Sequence, residues 1–473
     1  MMATREKIVL LLFGLFNIVT NNFIPFYSDE TYYWLWSKKL ALSYFDHPPM
    51  VAYLIKMTTL FGDSHMEIRL AAPLLMTASA YILYRLAHKM FDEKVATYTL
   101  YIFLSGIVVQ GGYTLITPDI PLIFFWSLTL YFVYLYIDSG SGRYAIFVGI
   151  AAGMLLLSKY TGVLLLISIV IYILLYKREI LKDRYFYYAL LLCFVVFSPV
   201  IYWNYLHDFI SFKFQLGHGI ATEKVFRPDD LWKFVGAQLV LFHPLYLLPL
   251  LYFIIKDRDI FSAKKAYLLI PFIFPLGFFV YFAAYKHANA QWAAPAYLSA
   301  TILLAYYLAQ RDAKRLIVVA SIITAIVVIL VKTPLGDVIP TVHNFKTRAG
   351  KIDNLTKEID DLHIDIDSYD YILLDDYHGT DVAYHFGKTD NLLVLSVARF
   401  SNFNIWRYED HNISMESPIE KRPKLGRLIY IGISDLHIYQ LNNLLGEPKS
   451  MKILKKSVGN KNLIYYFVEY DSY

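Results

Sequence analysis

Residues 144–176 read YAIFVGIAAGMLLLSKYTGVLLLISIVIYILLY, and Lys159 is the only Asp, Glu, Lys or Arg among them. A helix needs ~20 mostly apolar residues to cross the hydrocarbon layer of a membrane, and shorter helices are tolerated where other helices surround them. We therefore interpret this stretch as two short membrane helices, 144–158 and 161–176, joined by a turn at Lys159. The pattern predicts a membrane protein built from many α-helices.

The composition of the whole chain supports this interpretation. Of 473 residues, 57% are hydrophobic and 18% are charged, and the mean hydropathy is +0.43. A soluble core cannot hide so much apolar surface. The net charge of +5 is modest, and the basic residues lie in short clusters between apolar runs, which excludes a nucleic-acid-binding protein. The single cysteine, Cys193, lies inside an apolar run and is expected to be a small buried side chain.

The same length rule, applied along the chain, predicts about eleven membrane spans. Their ranges are 8–27, 68–88, 95–112, 118–138, 144–158, 161–176, 185–203, 234–255, 266–284, 292–309 and 316–332. The predicted fold class is therefore mainly α. A polytopic α-helical membrane domain covers residues 1–332, and its first outer loop covers residues 28–67.

Basic residues predict the orientation, because Lys and Arg are retained in short loops on the cytoplasmic side. With the N-terminus in the cytoplasm, every short inner segment is basic. These segments contain Arg5, Lys7, Lys89, Lys94, Arg143, Lys177, Arg178, Lys182, Arg184, Lys256, Arg258, Lys264, Lys265, Arg311, Lys314 and Arg315. The opposite loops then face outward, and about eleven spans also place the C-terminus outside.

The character of the sequence changes after Val331. Short alternating runs such as YDYILLDD, NLLVLSV, RLIYIGI and NLIYYFVEY replace the long apolar ones and read as strands, with a helical piece at 435–445 between them. We predict that residues 333–473 form a small soluble α/β domain on the outer face. A segment of this size can bury a core of its own.

Two adjacent acids, Asp29 and Glu30, follow the first predicted span directly and precede an aromatic stretch at 32–36. One interpretation is an aromatic belt at the membrane interface with solvated carboxylates. The other is catalytic, because a carboxylate desolvated beneath a folded loop has a raised pKa and serves as a general base near neutral pH. Adjacent acids favour the second interpretation, since they would repel anionic headgroups.

A further acid, Asp46, is followed by His47 and by Pro48-Pro49. Paired prolines stop a helix and fix the direction of the residues before them. The alternatives for His47 are a phosphate partner, a metal ligand beside Asp46, or an ordinary loop histidine. One His and one Asp are too few ligands to establish a metal, so a divalent ion at Asp46 stays an open alternative.

Other outer turns place ionisable residues near the membrane, where an unpaired charge is costly. Asp119 lies between Pro118 and Pro121, and it is either an acid of the site or a helix cap. Lys159 either binds a phosphate or extends to the headgroups.

Binding a sugar phosphate requires cations for the phosphate and aromatic rings for the sugar. The outer turns supply both types of residue. The candidates for donor phosphate or sugar binding are His47, Lys159, Tyr160, His218, Lys286 and Trp292. Each is weak evidence alone, and their shared placement on one side of the membrane makes them a candidate site.

Four motifs, ordered along the chain, resemble the bacterial branch of the GT-C glycosyltransferases, which is related to the protein O-mannosyltransferases and the lipid A aminoarabinose transferases. They are DETYYWLWSKKLALSYFDHPPMVAYLI, TPDIPLIFFW, LLSKYTG and SPVIYWNYLHDFISFKFQL, within about residues 25–300. In the tail, DDYHGTDVAYHFGK followed by NFNIW is similar to the small outer domain of the same relatives.

The resemblance implies an inverting glycosyltransferase of the bacterial inner membrane that takes its sugar from a polyprenyl phosphate, typically undecaprenyl phosphate, on the periplasmic side. It implies that an acid in the first outer loop is the catalytic base, which maps onto Asp29 with Glu30 beside it. It also implies that Asp119 is a further acid of the site and that Lys159 contacts phosphate.

One departure from the relatives concerns the position before the paired prolines. Relatives that act on lipid A carry Glu-Lys where this chain has Asp46-His47. The acid is retained, but a titratable residue replaces a permanent cation, which puts a phosphate-binding role for His47 in doubt.

Two other functions fit parts of the sequence. A lipid-linked sugar flippase would use the carboxylates to bind cargo, and it predicts broken helices and acids near the middle of the bilayer. A glycan ligase or polymerase would transfer a whole glycan. A mere membrane anchor leaves the outer acids unexplained. The sugar and the acceptor, which is a lipid, a glycan or a protein, are not specified by the sequence.

Overall fold

A computed structural model of the chain describes residues 2–219, 225–286, 288–340, 342–343, 355–394, 401–410, 426–458 and 461–471. The chain divides into two compact units. The first unit comprises Met1–Asn21 and His47–Ile329, and the second comprises Asn22–Asp46 and Leu330–Tyr473. Residues 28–46 of the predicted first outer loop are therefore grouped with the C-terminal part of the chain.

Helices make up nearly all of the chain before residue 333. In chain order they are α1 (Thr4–Thr20), α2 (Ser28–Lys38), α3 (Met50–Thr58), α4 (His65–Arg69), α5 (Ala71–Met90), α6 (Glu93–Leu104), α7 (Ile107–Thr114), α8 (Asp119–Ser139), α9 (Gly142–Ser158), α10 (Val163–Tyr176), α11 (Arg184–Leu206), α12 (Ile210–Gly219), α13 (Pro228–Phe242), α14 (Pro244–Lys256), α15 (Ala263–Tyr285), α16 (Ala296–Gln310) and α17 (Lys314–Lys332). All except α2 begin in the first unit.

Several of these helices are apolar and long enough to cross a membrane. Among the described residues, six candidates qualify by length and composition: Thr4–Phe23, His65–Met90, α8, α11, α15 and α17. Two bent pairs, α6 with α7 and α13 with α14, raise the number to as many as eight, and α9 and α16 are shorter apolar helices. A mainly helical membrane fold is thus confirmed, whereas the count of about eleven spans stays a prediction.

The two bent pairs break at residues that explain the bends. The α6–α7 pair bends by 66° after Ser105, and the α13–α14 pair bends by 103° at His243, which has a φ of 89° and precedes Pro244. Backbone groups freed at such breaks need new partners away from water. Thr324 donates to the Ser105 carbonyl at 2.8 Å, and His243 Nδ1 accepts from the Leu245 amide at 3.2 Å.

The opening stretch of sequence forms α9 and α10, separated by a short 3₁₀ turn at Tyr160–Gly162, as predicted. Helix α9 packs closely along α11 because its glycines lack side chains. A Cβ added at Gly153 would lie 2.5 Å from Val196 Cβ, and one added at Gly149 would lie 2.6 Å from the Ala189 carbonyl oxygen. Small residues at a helix crossing allow this approach, which is a common way for membrane helices to associate.

The second unit contains a mixed sheet and short helices. Its strands are β1 (Tyr371–Leu374), β2 (Leu392–Val394), β3 (Leu428–Gly432), β4 (Ser450–Val458) and β5 (Lys461–Tyr470). The sheet order is β2-β1-β3-β5-β4, with β1 parallel to β2 and β3, and with β5 antiparallel to β3 and β4. The helices beyond α17 are α18 (Thr356–Asp360), α19 (Thr380–His385), α20 (Asn402–Asp410) and α21 (Asp435–Leu445). Helix α2 belongs to this unit as well.

Apolar residues of α21 and three strands form the core of this sheet. Leu373 of β1, Tyr430 of β3, Leu441 of α21 and Val468 of β5 are buried together. Burial and the neighbouring Asp375 carboxylate raise the pKa of Tyr430, so its hydroxyl stays protonated and donates to Asp375. Each of the four short runs that the sequence predicts as strands contributes one strand, namely β1, β2, β3 and β5. The sequence does not predict β4, because its lysines mask the alternation of apolar and polar residues.

The α9–α11 contact yields a stability prediction. Gly153→Ala should lower the thermal unfolding midpoint in detergent, because overpacking costs about 1–3 kcal/mol. Gly277→Ala in α15 is the matched control, since a Cβ there meets nothing within 4 Å and alanine favours a helix. Unfolding midpoints of both variants that equal or exceed the midpoint of the unaltered protein would contradict the close approach of α9 and α11.

Candidate active site

An ion pair joins two of the predicted site residues in the first unit. Lys159 Nζ lies 2.7 Å from Asp119 Oδ1, and the two side chains are 9% and 22% exposed. Asp119 is the first residue of α8, where the helix dipole favours a negative charge. Lys159 ends α9 in an extended conformation, so its side chain can reach across to α8.

This contact changes how both residues are interpreted. Asp119 is the first residue of α8 and not its N-cap, which is Pro118, and its carboxylate pairs with the lysine. Lys159 is not extended to the headgroups, because it is buried and paired. Burying a charge is costly unless it is paired, so the carboxylate holds the ammonium group in a place where it could also meet an anionic ligand.

An apolar cluster brings the neighbouring segments together. Met50 of α3, Leu157 of α9 and Val200 of α11 are buried in it, and Tyr160 packs against it. Because His47 lies three residues before Met50 and Lys159 lies two residues after Leu157, the segments that carry them meet at this cluster. His47 itself is partly exposed.

The turn between α11 and α12 is built around Asn204. Its side-chain oxygen accepts from the Ser211 amide at 3.2 Å, and its carbonyl accepts from the Phe209 amide at 2.6 Å. Asp208 and Phe209 have positive φ angles of 52° and 56°, so the buried asparagine stabilises a strained turn.

Helix α12 links two parts of the candidate site. Near its start, Phe212 packs edge-on against Tyr160, with 5.5 Å between ring centroids. Near its end, the Gly217 carbonyl accepts from Lys286 Nζ at 2.6 Å. The two contacts lie five residues apart, about 8 Å along the helix. The helix thus connects the segments of Lys159 and Lys286.

The two remaining aromatic and histidine candidates lie near the end of α12 or beyond it. Trp292 is partly exposed and packs near Phe279 and Phe282, with ring centroids 6.3 and 6.4 Å away. His218 belongs to the last turn of α12, but its side chain lies outside the described residues. Its predicted phosphate role therefore stays a prediction.

The acids Asp29, Glu30 and Asp46 lie in the second unit, the first two on α2 and the third two residues before Pro48. Glu30 is fully buried, and its Oε2 accepts from the Tyr27 amide at 3.1 Å, which caps the start of α2. Asp29, the preceding residue, is partly exposed. The fold therefore commits one oxygen of Glu30 to the backbone, whereas the side chain of Asp29 is reachable from solvent.

Asp46 is also buried, with 6% of its surface exposed, and its Oδ2 accepts from the Tyr32 hydroxyl at 3.2 Å. The residues around this pair come from distant parts of the chain. Asn402, at the start of α20, donates its backbone amide to the same Tyr32 hydroxyl at 2.9 Å.

A divalent ion beside Asp46 finds no obvious support in the side chains. Within the described part of the chain, no group of three or more His, Cys, Asp or Glu residues could hold a metal ion. Among the described residues, Asp46 therefore belongs to no such group.

Sequence reasoning missed the role of Asn402 and Thr380. Both lie in the tail motifs, Thr380 in DDYHGTDVAYHFGK and Asn402 in NFNIW, and both contact the acidic loop. The motifs indicated that these segments matter, but not that they bind residues 28–46.

The buried ion pair predicts a non-additive effect on stability. Asp119→Asn alone should cost on the order of 3 kcal/mol, because it leaves the buried Lys159 ammonium unpaired, and Lys159→Gln should cost less, because the Asp119 side chain is 22% exposed. The double variant should recover most of that loss, as measured by thermal unfolding in detergent.

The matched control is the surface pair of Lys89 and Asp138, 3.1 Å apart with side chains 50% and 43% exposed. Lys89→Gln should cost less than about 1 kcal/mol. A double variant of Lys159 and Asp119 that is as unstable as the sum of the single variants would contradict a buried pair.

The sequence is similar to two kinds of sugar transferase. The family model described as dolichyl-phosphate-mannose-protein mannosyltransferase matches residues 46–203. The lipid A galacturonosyltransferase RgtD of Rhizobium johnstonii is 27% identical over 315 residues, which cover 65% of this chain and 66% of the relative. The undecaprenyl phosphate-alpha-4-amino-4-deoxy-L-arabinose arabinosyl transferase 1 of Pseudomonas fluorescens is 27% identical over 262 residues, covering 52% of this chain and 46% of the relative.

The chain thus aligns with about half to two thirds of the length of these curated relatives. The structural match covers more of the chain than the sequence matches do. The crystal structure of ArnT from Cupriavidus metallidurans bound to undecaprenyl phosphate has a TM-score of 0.72 with this chain at 14% sequence identity, and the match covers 98% of both chains. The chain therefore shares the fold of this transferase structure, and parts of its sequence are similar to the protein mannosyltransferase family model and to these two sugar transferases.

Proposed function

We propose that this protein transfers a sugar from a polyprenyl phosphate to a lipid acceptor at the outer face of the cytoplasmic membrane. The observation that carries the proposal is the buried Asp119–Lys159 pair at helix ends of an ArnT-like fold. Undecaprenyl phosphate is the lipid named for the matched structure and for one relative, which supports it as the donor carrier. Lipid A is named for the other relative and is the preferred acceptor.

The proposed reaction inverts the anomeric carbon of the sugar. A hydroxyl or amine of the acceptor attacks that carbon and forms the new glycosidic bond, while the bond from carbon to the lipid phosphate oxygen breaks. The acceptor proton passes to a carboxylate, and the phosphate leaves with the bonding electron pair. The protein must therefore supply a base for the acceptor and cations for the leaving phosphate.

We assign the base to Asp29. Its neighbour Glu30 is fully buried and has one oxygen committed to the Tyr27 amide, so it serves to cap α2. The side chain of Asp29 is partly exposed and belongs to the first turn of the same helix. A base must reach its substrate, and this difference in exposure favours Asp29.

We assign stabilisation of the leaving phosphate to Lys159, supported by Lys286 and His218. The Asp119 carboxylate holds the Lys159 ammonium in place, which lowers the cost of orienting a long side chain when negative charge develops. Tyr160 and Trp292 provide aromatic faces for the sugar. His47, or Asp46 beside it in sequence, is assigned to the acceptor.

The base assignment can be tested with purified protein and a panel of polyprenyl-phosphate sugars. Asp29→Asn should lower kcat by about 10²–10⁴-fold, because amides cannot accept the proton. Loss of each donor, followed by mass spectrometry with lipid A present, is the measurement. Glu30→Gln should act mainly on stability, through the cap of α2.

Asp63→Asn, in the same predicted outer loop, is the control and should retain turnover. Full turnover by Asp29→Asn would exclude Asp29 as the base. If no donor is consumed by the unaltered protein, the transferase proposal itself fails.

One structural feature calls for a direct test of the flippase alternative, which predicts broken helices. Two helix pairs are broken, but the residues around the breaks, 104–116 and 238–250, contain no Asp or Glu. The acids lie at the starts of helices instead. A transferase should leave a fluorescent polyprenyl-phosphate sugar in its original leaflet of a proteoliposome when no acceptor is supplied. Rapid exchange between leaflets would favour the flippase.

The proposed orientation places the N-terminus in the cytoplasm and the second unit's C-terminal residues outside. In a Cys193→Ala background, Asp390→Cys should react with a membrane-impermeant maleimide in right-side-out vesicles. Lys182→Cys should react only after the vesicles are opened. The reverse labelling pattern would invert the proposed topology.

A further inference from the structure

We propose that Asn402 and Thr380, near the C-terminal end of the chain, are positioning residues that hold both acidic segments of the first outer loop. The inference rests on the proposed transferase function. It assigns the C-terminal segment of the second unit a part in the reaction, because the segment orients the acids that act on the acceptor.

The Asn402 contacts fix the end of the loop. Its Oδ1 accepts from the Phe45 amide at 2.6 Å, and its own backbone amide donates to the Tyr32 hydroxyl at 2.9 Å. Asn402 and Tyr32 are both 1% exposed, so neither contact competes with water. A single asparagine therefore binds α2 and the residue directly before Asp46.

The directions of these bonds orient a proton. A tyrosine hydroxyl carries one hydrogen, and the Tyr32 oxygen already accepts from the Asn402 amide. Its hydrogen is then available for Asp46 Oδ2, 3.2 Å away. The hydrogen bonds run in one direction, from the Asn402 amide to the Tyr32 hydroxyl and from that hydroxyl to Oδ2 of Asp46.

Thr380 holds the other acidic segment. Its hydroxyl lies 3.0 Å from the Thr31 hydroxyl and 3.4 Å from the Ser28 carbonyl. Ser28 and Thr31 flank Asp29 and Glu30 in the first turn of α2. The start of α19 thus contacts the backbone of Ser28 before the proposed base and the side chain of Thr31 after it.

Aromatic packing supports the same two contacts. The Tyr32 ring stacks on Phe403 at 6.2 Å and lies 4.8 Å from Tyr377, which are neighbours of Asn402 and close to Thr380. These aromatic pairs by themselves would hold α2 against α20 and the residues just before α19. The buried polar groups add direction, because hydrogen bonds constrain orientation in a way that apolar contacts do not.

The test compares Asn402→Ala with Asn404→Ala, two residues apart on α20. In the described part of the chain, Asn404 Oδ1 accepts from the local Ser401 amide at 2.8 Å, so its loss weakens the start of α20. Asn402→Ala should lower kcat about tenfold per folded enzyme, with the donor KM nearly unchanged. Asn404→Ala should lower the unfolding midpoint and leave kcat unchanged.

Two conservative variants should restore turnover. Asn402→Asp keeps an oxygen that accepts from the Phe45 amide, and Thr380→Ser keeps the hydroxyl that Thr380→Ala removes. Each should recover most of the kcat lost by the matching alanine variant. Equal kcat values for Asn402→Ala and unaltered protein, or no rescue by either conservative variant, would overturn the inference.

Hydrogen exchange separates this inference from the proposed function. In Asn402→Ala, the Phe45 amide should exchange faster, while Asn404→Ala should leave it protected. If the unaltered protein consumes no donor, the transferase proposal fails and the exchange result alone decides the positioning role. Unchanged protection of Phe45 in Asn402→Ala would overturn that role.

Discussion

The absence of water in the hydrocarbon layer is the constraint on which the first unit depends. Backbone groups there must be paired within helices, or by side chains where a helix breaks. At the two breaks, Thr324 and His243 supply such bonds. Asp119 and Lys159 lie at helix ends, and their ion pair forms where α8 begins and α9 ends.

The Asp119–Lys159 pair and the acids of the loop at residues 28–46 are stabilised by different interactions. Lys159 is a largely buried cation. The Asp119 carboxylate offsets part of the free-energy cost of keeping it charged there. In the acidic loop, the Tyr32 hydroxyl donates to Asp46 and the Tyr27 amide donates to Glu30, and both bonds help to hold these acids in place. A phosphate-leaving reaction needs both arrangements, a fixed cation and an available base.

Much of the candidate site was predictable because single residues broke a strong pattern. Lys159 interrupts an apolar stretch, and the acid at position 119 lies between two prolines, so both stood out. Their pairing did not, since residues 40 positions apart give no sign of contact. The different environments of Asp29 and Glu30 were equally hidden, because burial and capping depend on which face of α2 packs.

The sequence by itself determined the mainly helical membrane fold, the turn at Lys159 and the helix at 435–445, because hydrophobic length and periodicity are local properties. Only the tertiary structure decided that residues 22–46 fold with the C-terminal segment. It also decided that Asn402 contacts Phe45, 357 residues away. Contacts between distant segments arise from the packing of whole surfaces, which no local pattern specifies.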